Sequence, residues 1–433
     1  MTAAAVEPGR GFASPQEAGT PRQPGAVQEA HAVRTSGAAP GSGTAHGLDE
    51  AAFTEVLARI AERAADVDRA GRFPTEAFEE LHAIGAIGLT VPVEFGGLGR
   101  GIAEAVEVIE RVGAADPSVA LILQWSYVNH LGLRHTDSPW PADLAEQVLR
   151  AAAADGALVN GLAVERELGS LSRGGLPATT ATRLPSGDWR IDGEKAYATG
   201  ISGLSWFTVV TSTDEPTPRV ATFLLDGSTP GYRVLPTWNH LGLRGSDTQS
   251  VVFEGAVVPN ARLIDIRDPA AGRARRNDRQ VLPVLLAAVY NGVAISARDW
   301  LVRYLHTRVP TALGASLATV PRFHDRVGEI EAWVQTSRAL ARQAAAALID
   351  AGDGPAGPLP GLAKHVATTN AIRVTESALD LTGNPGLERA NPLERHHRDA
   401  LVGRIHFPQS DFLLADLGRA ALARGRDALE ESA

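Results

Sequence analysis

The segment 161–200 opens with Gly161-Leu-Ala-Val-Glu-Arg-Glu-Leu-Gly-Ser170, continues through the alternating strand Trp189-Arg-Ile-Asp-Gly-Glu-Lys195, and ends with Tyr197-Ala-Thr-Gly200. Glycines and hydroxyl side chains punctuate two strands that are rich in apolar residues. Positions of this kind let backbone N–H groups and short side chains approach a planar ligand closely. The same pattern is also typical of an ordinary pair of β-hairpins in a sandwich. Evidence from the rest of the sequence is needed to distinguish a ligand-binding segment from an ordinary pair of hairpins.

The composition is that of a globular protein with room for two or three domains. The chain has 433 residues, of which 44% are hydrophobic and 21% are charged. It has no cysteine, which excludes disulfides, thiolate metal sites and cysteine nucleophiles. The net charge of −9 argues against a broad nucleic-acid surface, because phosphate neutralisation needs clustered Lys and Arg. The sequence contains neither an apolar run of roughly eighteen residues nor a signal-peptide core, so we expect a cytoplasmic protein without a membrane span.

The hydrophobic period divides the chain into four parts. Residues 1–46 are mostly Ala, Gly, Pro, Ser and Thr, a composition that predicts a disordered tail. Residues 47–154 follow the 3.6-residue period of helices, residues 155–268 the two-residue period of strands, and residues 269–433 return to long helices. We therefore predict an α+β fold with a sandwich or barrel between two helical domains. Its predicted strands are Leu158–Val164, Thr179–Leu184, Trp189–Tyr197, Trp206–Thr213, Arg219–Leu225, Tyr232–Leu235, Ser250–Glu254 and Ala256–Val258.

Dispersed motifs make the chain, from about residue 48 to its end, resemble the acyl-CoA dehydrogenase family. The motifs are Val91-Pro-Val-Glu-Phe-Gly-Gly97, Glu165-x-x-x-Gly169-Ser170, Gly193-x-Lys195-x-Tyr197-Ala-Thr199-Gly200, Gly242-Leu-Arg-Gly-Ser-Asp-Thr248 and the pair Arg398-Asp399. The resemblance implies an N-terminal α-helical domain, a middle β-sandwich or barrel, and a C-terminal four-helix bundle. It also implies a homotetramer with a flavin in a cleft between the β domain and the helices.

The resemblance further implies a set of flavin contacts. These are the backbone of Ala163, Val164 and Glu165, the hydroxyls of Ser170 and Thr199, the ring of Tyr197, and Arg308 at the flavin phosphates of a neighbouring subunit. Val164 departs from the family pattern, because it stands where the family has a threonine that hydrogen-bonds the ring. The family's adenine contact is also altered, and of its residues Thr382 and Gly383 remain candidates. The cofactor is therefore expected to be a flavin, either FMN or FAD.

The glutamate that removes a proton in the dehydrogenases is missing at both places where the family keeps it. Counting from Arg398-Asp399 puts one place at Phe407, and the other falls at about Leu282 on the first long C-terminal helix. Neither side chain can accept a proton. The chain therefore resembles the flavin-dependent monooxygenases built on this fold, such as amine and amino-sugar N-hydroxylases, dibenzothiophene monooxygenase and two-component phenol hydroxylases. These enzymes take reduced flavin from a separate NAD(P)H-dependent reductase and pass one atom of O2 to nitrogen, sulfur or an aromatic carbon of a small molecule.

Two histidines are the candidates for catalysis. Several of these monooxygenases carry a histidine near the lost glutamate, and in this chain His406 is at such a position. The pKa of histidine suits hydrogen bonding or proton donation near neutrality. The competing structural interpretation is that His406 satisfies carbonyl groups at a helix end. His130 is the second candidate, and its competing interpretation is again structural. No metal site is predicted, because the neighbours His396 and His397 diverge by about 100° on a helix.

The predicted substrate pocket combines Phe407 with three residues of the helix that carries His130. Those three are Trp125, Ser126 and Tyr127, and the aromatic ones are equally open to a packing role. Two other functions also stay open. One is a dehydrogenase or oxidase of the same family with a relocated base, and the other is a nucleic-acid-binding relative of this fold. The acidic balance of the chain weighs against the second.

Overall fold

The structure is a computed structural model that describes residues 47–167, 175–269 and 278–431. The predicted tail 1–46 and the predicted flavin contact Ser170 lie outside the described residues. The N-terminal part of the structure is helical, as the sequence period predicts. Its helices are α1 (Glu50–Ala70), α2 (Thr75–Ala83), α3 (Ile102–Ala115), α4 (Pro117–Leu133) and α5 (Ala142–Asp155).

Local signals in the sequence set the ends of these helices. The Asp49 carboxylate accepts a hydrogen bond from the backbone N–H of Ala52 (2.8 Å) and so begins α1. The Asp116 carboxylate begins α4 in the same way through the N–H of Ser118 (2.7 Å). Pro117 takes the first helical position, where its missing N–H is not needed. Helix α4 is apolar on nearly all sides and buried, so it lies inside the protein rather than on its surface.

The middle part is one eight-stranded sheet. Its strands are β1 (Leu158–Leu162), β2 (Thr180–Arg183), β3 (Trp189–Ala198), β4 (Leu204–Thr213), β5 (Val220–Asp226), β6 (Tyr232–Leu235), β7 (Gln249–Val258) and β8 (Leu263–Arg267). They are ordered β6-β7-β3-β2-β4-β5-β8, with β1 also paired to β4. Strands β1 and β2 run parallel to β4, and the other paired strands are antiparallel.

The strand prediction is wrong at two places. The segments 250–254 and 256–258 belong to the single strand β7, because Gly255 forms a β-bulge and not a turn. With φ at +73°, Gly255 adds one residue against β3 and donates its N–H to the Asp192 carboxylate (2.7 Å). The strand β8 was not predicted, since it is only five residues long and follows the Pro259 turn directly. It pairs with β5 at one end of the sheet.

The C-terminal part is a bundle of long helices. These are α6 (Asp278–Thr307), α7 (Pro321–Ala351), α8 (Leu359–Thr382), α9 (Asn384–Leu387), α10 (Leu393–Val402) and α11 (Ser410–Glu431). In the described ranges, α6 is the one helix long and apolar enough to cross a membrane, and 78% of its apolar window is buried inside the protein, as in a core helix. Its Gly292 lets α3 approach, because a Cβ there would stand 2.6 Å from the Glu110 carbonyl oxygen. The predicted α+β fold of helical, β and helical parts is confirmed.

An arginine and an aspartate of α10 tie the helical and β parts together. The guanidinium of Arg398 donates to both carboxylate oxygens of Asp68 on α1 (2.7 and 3.0 Å) and to the carbonyl of Leu241 (2.9 Å). The next residue, Asp399, accepts from the backbone N–H of Leu243 (2.6 Å). Bidentate pairing of this kind fixes direction as well as distance. The pair Arg398-Asp399 therefore sets where the segment after α10, which holds His406 and Phe407, leaves the bundle.

Candidate functional site

Helix α4 lies between the two groups of predicted site residues. On one side, Ile122 packs against the turn after β3, where a Cβ on Gly200 would stand 2.9 Å from it. On the other side, Leu121 shares a buried apolar cluster with Tyr290 of α6. The turn after β3 therefore contacts α4, which also packs against α6, the helix that carries Tyr290.

The β3 turn, residues 197–200, comprises the last two residues of β3 and the two that follow, and it presents a tyrosine ring and a threonine hydroxyl. Tyr197 has φ at +58°, which is uncommon for a non-glycine residue, and the residue is 44% exposed. The guanidinium of Arg166 lies 5.5 Å from the centre of its ring. Thr199 is buried and accepts a hydrogen bond from the Thr248 hydroxyl (3.1 Å), so its own hydroxyl hydrogen can be donated to a ligand. Asn160 of β1 fixes the turn by donating to the Thr199 carbonyl (3.0 Å).

The backbone of 163–165 follows β1 beside this turn. Ala163 and Val164 are partly buried, and the Val164 carbonyl accepts from the N–H of Ala196 (2.8 Å). The side chain of Glu165 faces the interior, where the Lys195 ammonium donates to it at 2.6 Å. Burial would raise the pKa of Glu165, but the hydrogen bonds from Lys195 and from residues 178–179 hold that pKa below its usual value. The Glu165 carboxylate therefore fixes the strands, and its backbone is what remains for a cofactor.

The three predicted pocket residues on α4 have different surroundings. Trp125 is partly buried. Ser126 is fully buried, and its hydroxyl accepts from the backbone N–H of Val159 (3.1 Å), which joins α4 to β1. Tyr127 is fully buried, and its hydroxyl donates to the Ala86 carbonyl (2.5 Å). The polar atoms of Ser126 and Tyr127 are thus used in holding α4, and of the three Trp125 is the one with exposed surface.

His130 is enclosed on α4. It has no exposed surface, its Nδ1 lies 3.2 Å from the Thr90 hydroxyl, and its Nε2 has no partner in the part of the chain that the structure describes. Burial lowers the pKa of His130 to about 3, so the imidazole is neutral at physiological pH. A neutral, enclosed imidazole stabilises the folded protein only while it remains unprotonated.

The pKa of His130 makes the protein sensitive to acid. Between about pH 6.5 and 3 the unfolded chain binds a proton at this residue and the folded chain does not, so stability is full above the unfolded pKa and is lost as pH falls. At about 1.4 kcal/mol for each pH unit, lowering the pH from 7.5 to 5 is expected to remove about 2 kcal/mol more free energy of unfolding from the wild type than from His130→Asn. Urea denaturation at the two pH values measures this difference.

The exposed His306 at the end of α6 provides the control for that experiment. The variant His306→Asn is expected to lose stability in parallel with the wild type between the two pH values. Parallel loss in His130→Asn as well would show that His130 is not held neutral by the fold.

His406 is held at both its ring and its backbone. Its Nδ1 lies 2.9 Å from the hydroxyl of Tyr290 on α6, and its carbonyl accepts from the Lys364 ammonium (2.8 Å), which also donates to the Gly403 carbonyl (3.0 Å). Burial, and then the charge of Lys364, lower the pKa of His406 to about 3. The imidazole is therefore neutral near pH 7 and suits hydrogen-bond donation better than proton release. The second predicted catalytic histidine, His130, does not share this cluster.

The two family positions for a catalytic glutamate are apolar in the structure as well. Phe407 follows His406, is 42% exposed and lies beside Phe412. Leu282 is partly buried on α6 among other apolar side chains. The buried carboxylate whose charge acts on Tyr290 is Asp399, and burial raises its pKa to about 7. Asp399 is only 3% exposed and is engaged by the N–H of Leu243, so it is closed off from a substrate.

The remaining predicted cofactor residues lie at the ends of α6 and α8. Arg308 is exposed directly after α6. Thr382 is buried, and its hydroxyl donates to the carbonyl of Ala378 within α8 (2.8 Å). Gly383 follows with φ at +63° and ends the helix. These residues are far from the β3 turn along the chain.

Three buried polar residues of this region were not predicted from the sequence. They are Tyr290 and Lys364, which hold His406, and Gln124 on α4, whose amide nitrogen and oxygen have no partner among the described residues. Gln124 interrupts an apolar run, Leu-Ile-Leu-Gln124-Trp. A polar side chain that interrupts a buried helical run is the signal that could have found Gln124, because such a group needs a partner.

The side chains at the β3 turn fit an isoalloxazine ring. The exposed face of Tyr197 offers stacking surface, the Thr199 hydroxyl offers a donor, and the backbone after β1 runs alongside. Val164 has no hydroxyl, so the donor that the family resemblance implies at this position is absent. A flavin held here would supply two-electron redox chemistry.

The three parts of the chain each match one domain of the same family. Residues 46–134 match the N-terminal domain of acyl-CoA dehydrogenase, residues 165–256 the middle domain, and residues 284–410 the C-terminal domain. Together these ranges include the β3 turn, α4, Tyr290 and His406.

Individual relatives agree with the domain matches. The probable acyl-CoA dehydrogenase FadE25 of Mycobacterium tuberculosis is 31% identical over 369 residues, covering 84% of this chain and 91% of the relative. L-evernosamine nitrososynthase of a Micromonospora species is 30% identical over 393 residues, covering 86% and 89%. The structure of KijD3 in complex with FMN and dTDP-3-amino-2,3,6-trideoxy-4-keto-3-methyl-D-glucose is 29% identical with a TM-score of 0.73, covering 86% and 92%. The chain therefore belongs to the acyl-CoA dehydrogenase family and is a flavin-dependent oxidoreductase.

Proposed function

We propose that this protein is a monooxygenase, which uses reduced flavin and O2 to oxidise a small organic substrate. The observation that carries the proposal is the segment His406-Phe407. Phe407, at the position where the family resemblance puts the proton-abstracting carboxylate, is aromatic, and the neutral imidazole of His406 precedes it in the chain. The second place for that carboxylate is Leu282, which is packed among apolar side chains. Removal of an α-proton needs a base within hydrogen-bond reach, whereas oxygen transfer does not.

The proposed reaction balances without such a base. Reduced flavin, O2 and substrate give oxidised flavin, oxidised substrate and water, so the flavin supplies two electrons and two hydrogens. The neutral imidazole of His406 would donate a hydrogen bond to the oxygen that leaves as water. Thr199 and Tyr197 would hold the ring in place, and the flavin is FMN or FAD.

An amine is the substrate class that we propose first. A nitrososynthase that is named for an amino sugar and KijD3, whose complex holds an amino-sugar nucleotide with FMN, are each about 30% identical to this chain over most of its length. Both support oxidation at nitrogen in preference to sulfur or an aromatic carbon. The proposal includes a separate NAD(P)H-dependent flavin reductase, which the chemistry requires as the source of reduced flavin.

A homotetramer is part of the same proposal. Arg308 is exposed at the end of α6, where it is free to approach the flavin phosphates of a neighbouring subunit. Apolar side chains after α10 and on α11 are also exposed, among them Ile405, Phe412 and Leu422. Exposed apolar groups of this kind are typical of a surface that another copy covers.

The experiment that tests the function supplies the purified protein with chemically reduced FMN or FAD and 18O2. The substrates are a dTDP-linked amino sugar, an aromatic amine and a thioether, and mass spectrometry follows the products. We expect one of them to gain a single 18O atom, with the amines favoured. Anaerobic bleaching of protein-bound flavin by an acyl-CoA, followed by electron transfer to an added acceptor, would contradict the proposal.

The alternative function is a dehydrogenase with a relocated base, and the name of the FadE25 relative favours it. Among the described residues, Asp399 is a carboxylate whose pKa burial raises to about 7, in the range of a general base, but it is enclosed in this structure, so this alternative requires it to become accessible to the substrate. In the anaerobic acyl-CoA experiment, bleaching that Asp399→Asn abolishes would establish this alternative.

A further inference from the structure

The hydroxyl of Tyr290 is buried, and among the described residues it has one hydrogen-bond partner. Tyr290 has no exposed surface, and its oxygen lies 2.9 Å from Nδ1 of His406. Within the described ranges this hydroxyl makes no other hydrogen bond. The two residues are 116 positions apart, so the contact is made by the packing of α6 against the segment after α10.

The direction of this hydrogen bond can be inferred by asking which direction leaves a buried polar group without a hydrogen-bond partner. If Nδ1–H donated to the tyrosine oxygen, the tyrosine's own O–H would be buried without an acceptor, which is unfavourable. If the tyrosine donates to Nδ1, its hydroxyl is satisfied and the histidine proton sits on Nε2. Nε2 has no hydrogen-bond partner in the described part of the chain, and His406 keeps some exposed surface.

We propose that Tyr290 is a positioning residue that fixes His406 as the Nε2–H tautomer, with this N–H directed to whatever ligand the site holds. Lys364 also donates a hydrogen bond to the His406 carbonyl (2.8 Å), so that both the ring and the backbone of His406 are held. The neutral imidazole is thereby a donor of fixed direction and not a base. The consequence for the reaction rests on the proposed monooxygenase function, but the tautomer itself does not.

Nuclear magnetic resonance of protein labelled with 15N-histidine tests the tautomer directly. The His406 signals are assigned as those lost in His406→Asn. In the wild type we expect a protonated Nε2 and an unprotonated Nδ1. In Tyr290→Phe, which keeps the ring packing, we expect the His406 signals to move toward a mixture of the two tautomers, because Nδ1 loses its donor.

The control is Tyr232→Phe, which removes a hydroxyl that donates to the Gly227 carbonyl on the β sheet (3.2 Å). It is expected to leave the His406 signals unchanged. Two results would overturn the proposal: an Nδ1–H tautomer in the wild type, or an unchanged His406 spectrum in Tyr290→Phe. The wild-type spectrum decides the first point even if Tyr290→Phe does not fold.

Activity supplies the second readout. In Tyr290→Phe we expect product formation to fall about tenfold in kcat, with unchanged affinity for flavin, and hydrogen peroxide to be released in place of product. A shifted tautomer with an unchanged rate would show that Tyr290 does not position His406 for catalysis. Absence of any oxygenation in the wild type would instead count against the proposed function, and the tautomer result would still stand or fall on the spectra.

Discussion

Replacing Lys195 with methionine is expected to lower the free energy of unfolding by about 3–5 kcal/mol. The Lys195 ammonium is fully buried and bonds the carboxylate of Glu165, which is itself 7% exposed, at 2.6 Å. Without the ammonium, Glu165 keeps its hydrogen bonds from the N–H groups of Ala178 and Thr179 but holds an unpaired charge in the interior. The expected loss is large because a buried charge without its partner cannot be solvated. Chemical denaturation of the two proteins at pH 7 measures it.

Two further variants separate a buried charge effect from a general loss of packing. Arg233 and Glu254 form an ion pair of similar length (3.0 Å) across β6 and β7, with side chains 54% and 62% exposed. Arg233→Met is expected to unfold at the same denaturant concentration as the wild type, because water screens exposed pairs. Adding Glu165→Gln to Lys195→Met is expected to recover part of the loss. If Lys195→Met were no less stable than Arg233→Met, Glu165 would have to be hydrated or protonated in the folded protein.

Glu165 also illustrates what a sequence motif leaves undetermined. Its place in a motif that resembles a flavin signature was evident from the sequence, and its backbone does follow β1, beside the β3 turn. Its side chain, however, bonds Lys195, which is thirty residues away and was known only as part of another motif. Local sequence gives the chemistry of each group, but the pairing of two groups depends on strand order and register.

The helices and most strands were predictable because each buries one face or all of its surface. The places where strands begin, end or bulge were harder to predict. Gly255 indicates a turn when only its neighbours are considered, whereas pairing with β3 makes it a bulge inside β7. Strand β8 is short enough that only its partner β5 distinguishes it from a loop. In both cases the deciding hydrogen bonds come from residues distant in sequence, which no local pattern contains.

In the candidate site too, some residues could be predicted from the sequence and others depend on contacts between distant segments. His406 was recognised from its distance to Arg398-Asp399, which is a relation along the chain. Its partner Tyr290 lies more than a hundred residues earlier, inside a helix whose apolar pattern indicates only burial. Tyr127, in contrast, was expected at the pocket, but its hydroxyl is bonded to the Ala86 carbonyl in the core. Which face of α4 meets the pocket depends on packing against β1 and the 86–90 loop.

His406→Asn is expected to reduce kcat for oxygenation about a hundredfold, with the affinity for flavin and the thermal stability close to those of the wild type. Asparagine places its side-chain oxygen near the position of Nδ1, so it can still accept from the Tyr290 hydroxyl (2.9 Å in the wild type). It has no atom at the position of Nε2. The variant therefore keeps the structural contact and removes the proposed donor. Single-turnover reaction of the reduced, flavin-bound variant with O2 and an oxidisable amine measures the rate.

The partition of oxygen between products makes this prediction specific. Without the donor, O2 is still reduced, and we expect it to leave as hydrogen peroxide while the amine is recovered unchanged. The matched control is His365→Asn. His365 on α8 makes the same kind of contact, from Nδ1 to the Ser410 hydroxyl (2.9 Å), at the other end of the segment that holds His406. We expect His365→Asn to oxygenate at the wild-type rate. Equal rates in all three proteins would mean that His406 satisfies only Tyr290, and that the interaction with the departing oxygen comes from another group.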